Sequence, residues 1–198
     1  RVDVMGEGRL RESDVVKALG VVPGDYLFDL DVAAAQKRVE NLSWVERAVV
    51  RRLWPDRVVV QIIERKPYAL WQNNETLHLV DKTGGVIALA SQDDVSGLPL
   101  IVGAEAPENF AKMQDIITRY PSLESRTYAM VYHDTGRWDV VLNDGGLRVQ
   151  LPSTDIAQSL QNLSALQNRT QILDREISII DLRLSDRISL SPSVSEPV

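Results

Sequence analysis

The chain has 198 residues, 22 Lys and Arg against 28 Asp and Glu, 44% hydrophobic residues and no cysteine. That apolar fraction excludes a disordered chain, and the missing thiols exclude a disulfide framework, a cysteine nucleophile and a zinc–thiolate site. A net charge of −6 argues against a nucleic-acid binder, which needs a strongly basic face.

The charge is not evenly spread. Residues 1–66 carry 12 basic and 11 acidic side chains, whereas residues 68–198 carry 10 and 17, which points to two domains. The first third reads strand, helix, helix, strand, strand. Arg1 to Val4 is a short strand. Ser13 is expected to cap a helix that buries Val15, Val16 and Leu19 and stops at Gly20, a residue suited to the left-handed position after a helix. A turn at Pro23-Gly24-Asp25 follows, and Asp31 is placed to cap a second helix whose Val32, Ala35, Val39 and Leu42 form one stripe. Two β-rich segments, Val45 to Leu53 and Arg57 to Glu64, flank Trp54-Pro55-Asp56, a hairpin turn. In the second of them Val58, Val60 and Ile62 face one way, and Val59, Gln61 and Ile63 form the wetter face.

Beyond Pro67 the pattern becomes short strands and turns. Strands are predicted at residues 68–72, 77–80, 86–88, 127–133, 137–142, 147–151, 176–182 and 187–190. Asp81-Lys-Thr-Gly-Gly85 and Asn143-Asp-Gly-Gly146 are hairpin turns. Two helices interrupt them, one after Pro107 through Phe110, Met113, Ile117 and Tyr120, the other opened by Ser153 or Thr154 and carrying Ile156, Leu160, Leu163 and Leu166 on one face. The sequence is thus α+β. Residues 191–198, with two prolines and little to bury, are expected to form a disordered tail. The chain opens on Arg1 rather than methionine, so an upstream segment is expected to have been removed. No stretch approaches the roughly 20 apolar residues of a membrane span.

Catalytic and metal-binding chemistry finds little support. His78 and His133 lie far apart with no metal-ligand spacing and read as solvated strand residues. No Gly-x-Ser-x-Gly elbow accompanies His133 with Asp134 or Asp139. Asp93 and Asp94 read as two carboxylates of a solvated loop. Asn-x-Ser/Thr sequons at Asn41, Asn74, Asn162 and Asn168 read as coincidence, and Trp44, Trp54, Trp71 and Trp138 as closures of core edges rather than a stacking platform. No catalytic, cofactor or metal residue is assigned. What remains is backbone. The last strand precedes a tail too polar to cover it, and two readings stay open: an edge protected by Arg183, Asp186 and Arg187, or a docking strand that a partner peptide extends.

The stretch Leu42-Ser-Trp-Val-Glu-Arg-Ala-Val-Val-Arg-Arg-Leu-Trp-Pro-Asp-Arg-Val-Val-Val-Gln-Ile-Ile-Glu-Arg-Lys-Pro-Tyr-Ala-Leu-Trp71 resembles the bacterial cell-division family FtsQ, also called DivIB. Val80-Asp81, Leu98-Pro-Leu-Ile-Val-Gly103, Trp138 with Leu142-Asn143-Asp144, and Ile177-Ser-Ile-Ile-Asp-Leu-Arg183 extend the resemblance over about Val2 to Leu190. It implies a POTRA domain of order β-α-α-β-β over residues 1–66, then a mainly antiparallel β-domain with flanking helices over residues 67–190. It also implies a single-pass inner-membrane protein whose periplasmic part is present here, acting at the division septum without enzymatic activity. The implied role is a divisome scaffold that binds FtsB and FtsL and links FtsK to the septal peptidoglycan synthase FtsW and FtsI. By position, the resemblance makes Leu184, Ser185, Asp186, Arg187, Ile188, Ser189 and Leu190 the partner-docking strand, with Arg183 and Arg137 facing an acidic partner segment. Arg47, Val50 and Arg52 align with a recruitment face on the POTRA domain. Two alternatives are weighed: a POTRA chaperone, expected to show tandem repeats and a barrel where one unit is visible, and a cell-wall hydrolase.

Overall fold

The computed structural model describes residues 1–198 except 7, 23–25, 27, 95, 96, 144, 145 and 194–198, and the side chain of residue 92. The expected turn at Pro23-Gly24-Asp25 therefore lies outside the described residues. The chain divides into two compact units, Arg1–Lys66 and Pro67–Val198.

In the first unit, β1 (Val2–Met5), α1 (Glu12–Leu19), α2 (Val32–Glu40), β2 (Val45–Leu53) and β3 (Arg57–Glu64) follow one another. The sheet order is β1-β3-β2, with β1 parallel and β2 antiparallel to β3. Alternation decides which face is covered. Val58 and Val60 of β3 and Ala48 and Val50 of β2 are buried with Val15, Leu19, Ala35 and Val39 of the helices, while Gln61 and Ile63 are exposed on the other face. α2 starts where Asp31 Oδ1 accepts from the Ala34 amide at 3.0 Å, satisfying one of the donors that a helix start leaves unpaired. α1 differs from expectation. It begins at Glu12 with Arg11 at the cap position and no side-chain cap, so Ser13 sits inside the first turn. There Glu12 and Asp14 offset the positive end of the helix dipole instead. Gly20 ends α1 at φ 67°, its N–H bonded to the Lys17 carbonyl, and Arg38 of α2 donates to the carbonyls of Ala18 and Leu19.

The second unit is built on one nine-stranded sheet. Its strands are β4 (Ala69–Asn73), β5 (Thr76–Val80), β6 (Val86–Leu89), β7 (Leu100–Val102), β8 (Thr127–Tyr132), β9 (Trp138–Leu142), β10 (Leu147–Gln150), β11 (Ile177–Asp181) and β12 (Ser189–Pro192). Their spatial order is β12-β11-β10-β9-β8-β7-β4-β5-β6. Five neighbour pairs are antiparallel; β10–β11, β7–β8 and β4–β7 are parallel. Parallel neighbours need a crossover, and helices supply two of them: α3 (Ala106–Ile117) with α4 (Pro121–Glu124) between β7 and β8, and α5 (Ile156–Thr170) between β10 and β11. Phe110, Met113 and Ile117 of α3 and Leu160 and Leu163 of α5 share one core with the sheet, each such side chain contributing about 1.5–3 kcal/mol.

The structure departs from the sequence pattern at three places. β7 is a strand that its three-residue length hid within Leu98-Pro-Leu-Ile-Val-Gly103. α5 begins at Ile156 behind Asp155, which adopts φ 56° and makes no side-chain cap, so neither Ser153 nor Thr154 is the cap. β12 runs through Pro192, two residues into the segment read as a tail, because a proline whose nitrogen faces away from its neighbour strand costs the ladder nothing.

Register exposes how the sheet ends. Strand partners share a face, and one row crosses all nine strands: Leu89, His78, Trp71, Ile101, Met130, Val140, Val149, Ile180, Leu190. Ile101, Met130, Val140, Val149 and Ile180 lie buried beneath the helices, whereas Leu89 and Leu190 at the two ends are 66% and 47% exposed. The neighbouring row on the opposite face is mixed, with Leu77, Gln72, Val102 and Val131 followed by the polar Asp139, Gln150, Asp181 and Ser189.

A candidate docking edge on the nine-stranded sheet

β12 pairs with β11 on one side, and among the described residues nothing pairs with its other side. Which backbone groups face outward follows from the ladder. The Ser193 amide donates to the Glu176 carbonyl and the Leu182 amide to the Gln150 carbonyl. Antiparallel pairs alternate between bonded and non-bonded, so with the register Asp181↔Ser189, Ile180↔Leu190 and Ile179↔Ser191, Ser189 and Ser191 bond inward to β11. Leu190 then presents both its N–H and C=O outward. Pro192 offers no outward donor, and its carbonyl is engaged by the Ser178 hydroxyl of β11. The β11 bulge between Ile177 and Ile179 is closed by Ser178, whose hydroxyl lies 3.3 Å from the Ser191 carbonyl and 3.0 Å from that of Pro192.

The last strand therefore lies further along the chain than the expected 187–190. Leu184, Ser185 and Asp186 form a turn, Arg187 and Ile188 lead out of it, and only Ser189 and Leu190 of that segment belong to β12. The cause is Asp181. Its Oδ1 accepts from the Arg183 amide at 2.9 Å and from Nε at 2.9 Å, and its Oδ2 from Nη2 at 2.6 Å, which clips the chain into a turn directly after β11. Asp186 and Arg187 pair with each other at 3.2 Å, both well exposed. Leu184, Ile188 and Leu190 stay 56%, 37% and 47% exposed, an apolar margin along an open backbone edge.

Charges flank this margin. The bond from the Arg183 guanidinium, helped by the Arg183 amide and by the charges of Arg183 and Arg137, holds the Asp181 carboxyl below the usual aspartate value of 3.8, and Asp181 raises Arg183 in turn. Arg137 lies on the same side, its Nε donating to Thr135 Oγ1 at 3.0 Å. The structure thus gathers Arg137 and Arg183 about one carboxylate, with Arg183 already bonded and three of its five N–H donors left for a further acceptor. A depressed carboxylate stabilises the fold above its unfolded pKa, and that contribution is lost as pH falls through the folded value. The carboxyl carbon of Asp181 is accordingly expected to titrate below 3.8 by NMR, and Arg183→Gln to bring the midpoint back up; no movement in that variant would remove Arg183 as the cause.

Val50 is 3% exposed in the first unit's core. Arg47 lies on the open face, and Arg52, which has the core-facing parity of Val50, reaches from the strand end to the Phe28 carbonyl at 3.3 Å. The three do not share a face. His133 is not simply solvated, because its Nε2 lies 3.1 Å from the buried Asp139 carboxylate, which Arg148 also meets at 3.3 Å; among the described residues no serine hydroxyl bonds to this histidine. His78 has its Nδ1 buried without a partner among the described residues, beside the Trp71 ring. Asp94 is 7% exposed and accepts from the Ser91 amide and hydroxyl, so of the pair read as solvated only Asp93 faces water. No group of three His, Asp or Glu side chains suited to a metal ion occurs among the described residues. The residues that sequence reasoning missed, Ser178, Asp181, Ser191 and Pro192, set the register and exit of β12. Asp181-Leu-Arg183 carried a local signal, since a carboxylate two residues before an arginine can clip a turn.

A small β-α-α-β-β unit followed by a mostly antiparallel, helix-backed sheet is the architecture of a POTRA domain joined to a β-domain. Family models match both units, the FtsQ-type POTRA domain over residues 1–65 and the C-terminal domain of cell division protein FtsQ/DivIB over residues 69–183. Among curated relatives, the cell division protein FtsQ of Rhizobium meliloti is 35% identical, with 96% of this chain and 62% of that protein covered. That of Bartonella bacilliformis is 34% identical over 97% and 62%, and that of Rhizobium radiobacter 34% over 90% and 85%. The chain belongs to the FtsQ/DivIB family of cell-division proteins. It spans 62% of the length of the first two of these relatives. A solved extracytoplasmic domain of DivIB from Geobacillus stearothermophilus is similar at 18% identity and TM-score 0.38, with 56% of this chain and 97% of that one covered. No described helix is long and apolar enough to cross a membrane.

Proposed function

We propose that this chain is the periplasmic part of a single-pass inner-membrane scaffold of the divisome, without catalytic activity, that binds FtsB, and FtsL with it, by adding a partner strand to β12. Through that contact it links FtsK, upstream, to the septal peptidoglycan synthase FtsW and FtsI. The observation that carries the reading is the outward N–H and C=O of Leu190 on a strand whose outer side pairs with nothing among the described residues. Backbone bonds of this kind are worth about 1 kcal/mol each, and alternate side chains select the partner. An apolar partner residue opposite Leu190 continues the row that ends there, while an acidic one near the turn meets Arg137 and the spare donors of Arg183. Arg47 and Arg52 are retained as separate recruitment contacts of the first unit, whereas Val50 contributes to its core.

Membership of the family supports the cell-division role, and the edge geometry supports this mode of binding. The test is co-purification of this chain with a tagged periplasmic fragment of FtsB. Stable retention is expected, and elution of the two apart at tens of micromolar sinks the assignment.

A further inference from the structure

The sheet has a second open end, and its chemistry differs from that of β12. β6 pairs only with β5 among the described residues. The Ala90 amide donates to the Leu77 carbonyl, so by alternation the N–H and C=O of Leu89 point away from β5. Val86 and Leu89 are 44% and 66% exposed. From Gly85 to Ser91 the chain reads Gly-Val-Ile-Ala-Leu-Ala-Ser, with no charge and no proline, whereas edges that must stay single normally carry Lys, Pro or inward charges.

Two carboxylates hold this edge in shape. Ahead of it, Asp81 Oδ1 accepts from the Thr83 amide, the Thr83 hydroxyl and the Gly85 amide at 2.6–2.9 Å. Behind it, Asp94 Oδ2 accepts from the Ser91 amide and hydroxyl at 2.8 and 2.6 Å. The turns at both ends are fixed, so little order has to be imposed when a strand is added.

We propose that β6 is a self-association edge, pairing antiparallel with β6 of a second copy about a two-fold axis. The occupant follows from the strand and its flanks. The bulge at Ile87, which leaves Val86 opposite Val80 and Leu89 opposite His78, puts Val86 and Leu89 on one face of the sheet, so in a two-fold pair that sets Val86 against the partner's Leu89 each exposed side chain covers the other. Exposed Lys82 lies before the strand and exposed Asp93 beyond it, so antiparallel pairing brings the Lys82 end of each copy to the Asp93 end of the other, opposite in charge at both ends. No like charges meet along the uncharged strand between. The contact is short, well below the roughly 1,600 Å² of a standard interface, and its dissociation constant is expected on the order of hundreds of micromolar.

Sedimentation equilibrium of the chain from about 10 μM to 1 mM covers that range. The mean mass is expected to rise from 22.1 kDa toward twice that value. Leu89→Lys, at a site exposed in the monomer, is expected to hold the chain monomeric with unchanged melting. Lys82→Glu and Asp93→Lys are each expected to weaken the dimer about fivefold, and the double reversal to restore it, as exposed pairs worth up to about 1 kcal/mol allow. Leu190→Pro, at the other edge, should leave it intact. A wild type that stays monomeric, a dimer indifferent to Leu89→Lys, or single reversals without effect overturns the proposal. So does a monomer that instead takes up a Gly-Val-Ile-Ala-Leu-Ala probe peptide, which would make the edge a site for a foreign strand.

Discussion

Leu190→Pro is expected to lower affinity for an FtsB-like strand by at least about tenfold while the second unit keeps its fold. The Leu190 amide points away from β11, so the β11–β12 ladder loses no bond when proline removes it. A carbonyl of the partner strand loses its donor and meets a ring where an N–H stood. One backbone bond at about 1 kcal/mol plus that steric cost exceeds the 1.4 kcal/mol of a tenfold change. Pro192 already blocks the next outward position, so Leu190 is the last outward donor on the strand and no neighbour toward the C-terminus can replace it. Isothermal titration with an FtsB periplasmic peptide measures the loss, and circular dichroism reports the fold. Ser191→Pro is the contrasting variant. Its N–H bonds inward, so it is expected to loosen β12 itself and to lower melting as well as binding. Equal affinity of wild type and a folded Leu190→Pro would place the partner elsewhere.

The contrast between these two adjacent positions marks what the sequence could and could not show. Alternation within β3 gave the covered and wetter faces directly, because period-two patterning is local. The helix stripes of α2, α3 and α5 were legible for the same reason. The position of β12 was not, since it depends on Asp181 folding back on Arg183 and on a bulge at Ser178, neither of which changes hydrophobic pattern. Arg47, Val50 and Arg52 illustrate a related failure. Two of them share strand parity, and the buried one is Val50, so sequence proximity did not make a face. Rows that span nine strands, such as the one ending in Leu89 and Leu190, rest on cross-strand register that no single segment encodes, and the second open edge at β6 became visible only with that register.

Gly84→Ala is expected to destabilise the second unit by on the order of 3 kcal/mol, lowering its melting temperature by about 10 °C. The sequence marks Asp81-Lys-Thr-Gly-Gly85 as a turn, but turn chemistry alone explains only part of the demand for glycine. Gly84 adopts φ 87°, where an L side chain costs about 1 kcal/mol. The larger part comes from a distant stretch of chain. A Cβ on Gly84 would stand 1.9 Å from the Pro107 carbonyl oxygen and 2.8 Å from its carbon. Those are backbone atoms in the first turn of α3, where Ala106 and Pro107 are buried, so no rotamer change relieves the clash. Either the helix start moves off the core or the Asp81 clip with Thr83 and Gly85 opens. Gly97 supplies the internal control, since it has φ 85° and a methyl group there would meet nothing within 4 Å among the described residues. Gly97→Ala should cost only the conformational share, about 1 kcal/mol. Thermal melts of the two variants separate backbone preference from close approach: similar losses would mean that α3 can yield to the turn, and a gap of about 2 kcal/mol would mean that it cannot.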